Sequence, residues 1–244
     1  MSDREAGLVV WDVDGTLIPA DLRWLRRAIA RTYLIDEEAV VFPASKVHGY
    51  TDESIVIDTA ISSGINPGRA EEGLAIFSDE LTRVMMDGRS EYLREQPAYP
   101  GAAQTIASLH AEGFVQTVLT GNIRSAAQFK LSAARLDQYI DFSIGGFGSD
   151  ARDRFALPAV VAERYAARYG HSLKPSRTVV IGDAPNDIAC ARFAGFHVVA
   201  IAHRISRQEL LEHDPDAVLD DLTPAAVTEV VKSLIGPPKT TLST

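Results

Sequence analysis

The stretch that decides the fold is Val9-Val10-Trp11-Asp12-Val13-Asp14-Gly15-Thr16. With Gly7 and Leu8 in front, it opens as a short, β-branched, almost continuous apolar run. That is the pattern of a strand buried on both faces of a parallel sheet. Two carboxylates follow at once, two residues apart. Alternation along a strand sends both to the same side, and Gly15 then lets the chain turn. In an open α/β sheet, ligands bind beyond the carboxyl ends of the strands. Asp12 and Asp14 can also be read as solvated turn residues. Two acids against a buried strand repel each other, however, unless a cation or a shared proton relieves them. A calcium loop of the EF-hand type fails on its residues, since glycine would have to stand at Leu17 and glutamate at Arg23.

Three further runs have the same character: Phe114 to Leu119, Thr178 to Ile181 and His197 to Ile201. Helical patterns separate them. Pro100-Gly101 opens one, with Ile106 and Leu109 on its face and Gly113 at its close. Arg154 to Tyr169 forms another and ends at Gly170, a helix C-cap. Strand and helix in alternation predict an α/β domain with a parallel sheet. Residues 20–96 break the rhythm and read as all-helical. Leu22, Leu25 and Ile29 share a face, Asn66-Pro67 is a helix start, and Leu74, Phe77, Leu81 and Val84 repeat at helical spacing. The expected organisation is a Rossmann-like core from residues 1–19 and 97–236, with a small helical cap domain, 20–96, inserted after the first strand. Residues 237–244 read as a disordered tail.

Two other strand ends carry matching chemistry. Leu119 is followed by Thr120-Gly121-Asn122, where a hydroxyl and glycine-freed backbone N–H groups at a helix start suit phosphate. The same tripeptide also serves as an ordinary turn. Ile181 is followed by Gly182-Asp183-Ala184-Pro185-Asn186-Asp187, two more acids flanking a helix start. A capping aspartate with one first-turn acid is the plain alternative there.

In this order the motifs resemble those of the haloacid dehalogenase superfamily. The similarity is to its phosphatase branch with a helical cap after the first motif, the phosphoglycolate phosphatase and β-phosphoglucomutase-like proteins. Asp12-Val13-Asp14-Gly15-Thr16 matches the first motif, Thr120-Gly121-Asn122 the second, and Gly182 through Ile188 the fourth; the resemblance spans residues 8–201. It implies a phosphatase acting on a small phosphorylated metabolite. Asp12 would attack phosphorus and form an aspartyl-phosphate. Asp14 would protonate the leaving oxygen and then activate water. Mg²⁺ would be held by Asp12, the Asp14 carbonyl and Asp183, with Asp187 as an outer partner. Thr120, Gly121 and Asn122 would hold the transferring oxygens.

The third motif is a lysine in this family. Lys174-Pro175 precedes the strand that ends at Ile181, so it falls at the wrong end of the sheet. Arg154 is the residue expected in the role, with Arg152 and Lys130 as the alternatives. In the insert, the loop through His48, Gly49, Tyr50, Thr51 and Asp52 leads into a helix, with Thr51 or Asp52 as its cap. Such loops read the substrate in capped relatives, which makes His48, Tyr50 and Thr51 candidates; an ordinary cap and turn is the competing reading.

Other functions weigh less. Dehalogenases and phosphonate-cleaving relatives lack an acid where Asp14 stands. A sugar phosphomutase would carry a histidine near Asp21 to Leu25, where there is none, and a non-catalytic binding protein on this fold would usually have lost a motif acid. The net charge of −9 argues against nucleic-acid and anionic-membrane partners. No run approaches a membrane span, the start lacks the long apolar region of a signal peptide, and Cys190 stands alone, so a reduced cytoplasmic setting is expected. Cys190 itself reads as a small buried hydrophobe.

Overall fold

The computed structural model describes residues 6–43 and 49–237. His48 and the expected tail beyond Pro237 lie outside them. Six strands form one wholly parallel sheet: β1 (Leu8–Trp11), β2 (Val115–Thr120), β3 (Gly146–Phe147), β4 (Thr178–Gly182), β5 (His197–Ile201) and β6 (Ala217–Leu219). Their order is β3-β2-β1-β4-β5-β6. β1 is therefore central, and the sheet winds outward from it in both directions. A crevice opens at that reversal, beyond the strands' carboxyl ends. All four β1 residues are fully buried, as their unbroken apolar run requires. β3 and β6, at the two edges, had not been read from the sequence.

Among the described residues, ten α-helices accompany the sheet. Four come between β1 and β2 and make the cap: α1 (Arg23–Tyr33), α2 (Asp52–Ser62), α3 (Pro67–Asp87) and α4 (Arg89–Glu95). The others are α5 (Ala102–Ala111), α6 (Arg124–Ala133), α7 (Leu157–Tyr169), α8 (Pro185–Phe193), α9 (Arg207–Leu211) and α10 (Pro224–Ile235). Alternation along β1 divides the core into two faces. Val9 and Trp11 pack with Ile106 of α5, Leu131 of α6 and Val231 of α10. Leu8 and Val10 pack with Leu157 and Val161 of α7 and Ile188 of α8. The helix expected from Arg154 opens instead as a short 3₁₀ turn over Arg154–Ala156, and α7 proper starts at Leu157. Pro158 explains the delay, because proline fits only the first turn of an α-helix.

The cap has an apolar core of its own, around Trp24, Tyr33, Ile55, Phe77 and Leu81, and Ile123 and Ala126 at the start of α6 join it. Asn66 caps α3 through its side chain, accepting from the Arg69 N–H at 2.9 Å. Gln96 ties the two chain crossings between cap and sheet. Its oxygen accepts from the Trp24 indole at 2.6 Å, and its amide donates to the Pro19 carbonyl at 3.2 Å. Among the described residues, no helix is long and apolar enough to cross a membrane.

Candidate active site

Asp12 extends the ladder of β1, its N–H donating to the Ile181 carbonyl at 2.9 Å. Its carboxylate therefore emerges where β1 and β4 end together. Gly15 sits at φ +95°, and a Cβ there would lie 2.3 Å from an oxygen of Asp183. Glycine at this position lets the first loop fold over the end of β4. Thr16 is buried within that turn. Its hydroxyl faces Asp12 Oδ2 at 3.4 Å and Asp183 Oδ1 at 3.3 Å, bridging the two acids.

Carboxylate oxygens of Asp12, Asp183 and Asp187 lie within 4.8 Å of one another, all buried. Arg154, 4% exposed, projects between them, donating to Asp187 Oδ1 at 2.5 Å and Asp12 Oδ1 at 3.1 Å. Arg204, just past β5, reaches Asp183 Oδ2 only at 3.4 Å. That is a charge contact longer than a normal hydrogen bond, and Asp183 Oδ2 has no hydrogen-bond partner among the described residues. Burial, followed by the neighbouring Asp187 charge, pushes the Asp12 carboxyl well above its ordinary range despite Arg154. The same two causes raise Asp183 to about 7. Arg154 is drawn down by burial, but Asp187 and Asp12 outweigh this and hold it above its usual value.

Three buried carboxylates thus face two guanidinium groups. The donor set is all oxygen and short of positive charge, with one carboxylate oxygen unsatisfied. Those properties fit a hard divalent cation such as Mg²⁺. Asp187 belongs to the cluster by distance, yet its oxygens are already engaged. Oδ1 takes Arg154, and Oδ2 takes the backbone N–H groups of Asp183 and Ala184 at 3.1 and 3.0 Å. The oxygens of Asp12 and Asp183 are less fully engaged than those of Asp187, which holds the loop that carries Asp183.

Asp14 faces away from this cluster. Its carboxylate accepts from Lys130 Nζ and from the Asn122 side-chain amide, the latter at 2.8 Å, while Asn122 Oδ1 accepts from Lys130 at 2.9 Å. Thr120 ends β2, and its hydroxyl accepts the Asn122 N–H at 3.2 Å. Of the three cations considered for the third motif, two are in the site. Arg154 is on the Asp12 side and Lys130 on the Asp14 side. Arg152 is not: its guanidinium is half exposed and pairs with Glu71 of α3 at 2.8 Å.

The cap loop is clamped onto the Thr120–Asn122 turn. The Asp52 N–H donates to the Gly121 carbonyl at 2.7 Å, and the Asn186 side chain donates to the Gly49 carbonyl at 2.8 Å. Contact is so close that a Cβ on Gly121 would stand 1.8 Å from the Tyr50 carbonyl oxygen. Thr51 is the N-cap of α2, accepting from Ser54 N–H at 3.4 Å, and its hydroxyl donates to the Arg152 carbonyl at 2.7 Å. Both capacities of that hydroxyl are used within the protein, which favours the ordinary-cap reading for Thr51. Tyr50 lines the pocket beside Gly49 and Asp52.

The sequence position of Asp52 suggests no more than a cap for α2. Its carboxylate instead accepts the Ile123 N–H at 2.8 Å, across the cap–core boundary at the start of α6. Burial, offset by Lys130, lifts it to about 6. Arg204 was also missed, although its place just beyond a predicted strand end was a usable signal. Cys190 is buried, with its thiol pushed up to about 12 by burial, as an inert packing residue would be.

Comparison with known proteins gives the family. Residues 9–192 match the family model of haloacid dehalogenase-like hydrolases, and the chain belongs to that family. It is 25% identical over 214 residues to a phosphoglycolate phosphatase of Rhodospirillum rubrum, covering 87% of this chain and 86% of that one. It is also 25% identical over 219 residues to the pyrophosphatase PpaX of Halalkalibacterium halodurans, covering 88% and 93% respectively. The crystal structure of a hydrolase from Pseudomonas syringae superposes with a TM-score of 0.63 at 19% identity, over 91% of this chain and 97% of that one.

Proposed function

We propose that this chain is a Mg²⁺-dependent phosphate-monoester hydrolase with Asp12 as its covalent nucleophile. One observation carries the reading: a buried carboxylate at the central strand end faces a pocket and is oriented by Arg154 and Thr16, inside a carboxylate cluster that is short of positive charge. Asp12 and Asp183, with the Asp14 carbonyl, would hold the metal. Bound there, Mg²⁺ would supply charge neutralisation between a carboxylate and a phosphate dianion.

The protein's own groups account for the rest. An Asp12 oxygen bonds to phosphorus as the bond from phosphorus to the leaving oxygen breaks, and Asp14 gives that oxygen a proton. Water then attacks phosphorus and yields its proton to Asp14, releasing inorganic phosphate and restoring Asp12. Arg154 keeps one Asp12 oxygen turned away, so the other faces the pocket. Lys130 and Asn122 hold the Asp14 carboxylate on the leaving-group side. Thr120 and the backbone of Gly121 and Asn122 receive the transferring oxygens. The Gly49–Asp52 loop covers the site and excludes water. Phosphoryl transfer depends mainly on such positioning and charge compensation.

A panel of small phosphomonoesters, scored by released phosphate, tests this reading. Activity should require a divalent metal, vanish with EDTA and return with Mg²⁺, while Ca²⁺ substitutes poorly because its looser shell misplaces the nucleophile. Full activity after exhaustive chelation, or no release from any ester, contradicts it.

A further inference from the structure

The cap helices give the pocket an apolar wall. Leu22, Trp24 and Leu25 from the start of α1, Ile55 from α2, and Leu81 and Met85 from α3 line the pocket there. The polar edge of Trp24 is already spent, because its indole N–H donates to Gln96; what remains at this wall is ring surface. The cations of the same pocket already face acids, Arg204 only through a 3.4 Å charge contact. Lys130 pairs with Asp14, Arg154 with Asp12 and Asp187, and Arg204 with Asp183. Two further acids, Asp21 and Asp52, also line it. Asp21 faces Arg23, whose guanidinium is shared with Glu91 and Glu95 and is not part of the lining. Among the described residues, the α1–α3 wall therefore offers no cation to a second anionic group, and Lys130 beside it is already paired with Asp14. A carboxylate there would lose its water, find no partner, and sit among acids.

We infer that the preferred substrates are phosphomonoesters whose alcohol part is uncharged and apolar, a short branched alkyl or an aryl group. The inference rests on the phosphatase reading and narrows it. It also separates this chain from a phosphoglycolate or pyrophosphate specificity, since both compounds carry a second anion on the leaving side. An apolar alcohol would bury its carbons against the α1–α3 wall, where each methylene removed from water favours binding.

The test compares kcat/KM for isobutyl phosphate, phenyl phosphate, phosphoglycolate and pyrophosphate with the full chain and Mg²⁺. Isobutyl phosphate is nearly isosteric with phosphoglycolate and differs chiefly in charge. The expected result is a preference of at least tenfold for isobutyl and phenyl phosphate over both anionic compounds. Equal or better turnover of phosphoglycolate or pyrophosphate overturns the inference and leaves the phosphatase reading standing. No turnover of any of the four defeats both. A second measurement uses Met85→Lys, which places an ammonium on the apolar wall. Provided its circular dichroism and thermal unfolding match a folded protein, the phosphoglycolate-to-isobutyl ratio should rise at least tenfold. An unchanged ratio in a folded variant counts against the inference; if the variant does not fold, the wild-type ratios decide.

Discussion

Replacing Arg154 by Met removes a cation that two buried carboxylates share while keeping an unbranched side chain in its place. Asp187 is the less affected partner, because two backbone N–H groups still support its other oxygen. Asp12 loses its only ion-pair partner among the described residues and keeps a 3.4 Å contact with Thr16. Breaking a buried ion pair by deleting one member costs about 3–5 kcal/mol. For a chain of this size, each kcal/mol moves Tm by about 2–4 °C, so Tm should fall by roughly 6–20 °C at neutral pH without metal. The deficit should depend on pH in a definite direction. Burial already raises the Asp12 carboxyl in the folded state, and Arg154 opposes that rise. Without Arg154 the folded value climbs further. A carboxyl raised on folding costs stability progressively as pH rises from its unfolded value through its folded one. The variant should therefore approach wild type as pH falls toward the unfolded carboxyl range, and diverge above it. Mg²⁺ stabilises each protein by about 2.7 kcal/mol at a hundredfold excess over its own dissociation constant, so at a fixed Mg²⁺ concentration it should narrow the gap to the extent that the variant, with one cation fewer in the cluster, binds it more tightly. Urea and thermal unfolding at pH 5 and pH 8, with and without Mg²⁺, read all three effects. A variant within about 1 kcal/mol of wild type at pH 8 without metal, or a deficit indifferent to both acid and metal, refutes the reasoning.

Two further substitutions probe the clamp between cap and core. Gly121→Ala places a Cβ where the Tyr50 carbonyl stands, so the loop must lift; kcat/KM should fall by about tenfold or more with the circular dichroism spectrum unchanged, and wild-type kinetics would show that closure at this point is dispensable. Asp52→Asn keeps an acceptor for the Ile123 N–H but removes a carboxyl that burial raises from 3.8 to about 6. Wild-type stability carries a loss that develops as pH rises between those values, so the variant should equal wild type near pH 4 and exceed it by up to about 3 kcal/mol above pH 6. A stability difference independent of pH over that range contradicts the assignment.

Local signals carried most of the fold. β1 was legible because a strand buried on both faces must be apolar throughout, and the acids at its end interrupt that run abruptly. Gly170 and Asn66 marked helix ends through backbone chemistry that acts over a few residues. β3 and β6, two and three residues long, are too short to show a period. Within the site, Asp12, Asp183 and Asp187 stood in motifs tied to strand ends, so topology alone brings them together. Lys130 lies inside α6, and nothing in its helical spacing says that its amine will cross to Asp14. Asp52 shows the same difficulty more sharply: its sequence position suggests a cap for its own helix, while its carboxylate serves the start of another. Such pairings between distant segments arise only when cap and core are packed together.

As nucleophile, Asp12 must become covalently phosphorylated during turnover. The direct measurement is to mix enzyme, Mg²⁺ and a phosphomonoester, quench during turnover, and trap any acyl-phosphate with hydroxylamine or borohydride before peptide mass spectrometry. Modification should appear on the peptide containing Asp12, map to Asp12, require substrate, and be absent from Asp12→Asn, whose kcat should be lower by about a thousandfold or more. Turnover that leaves Asp12 unmodified while another residue is trapped, or near-normal turnover by Asp12→Asn, would contradict the assignment of Asp12 as nucleophile.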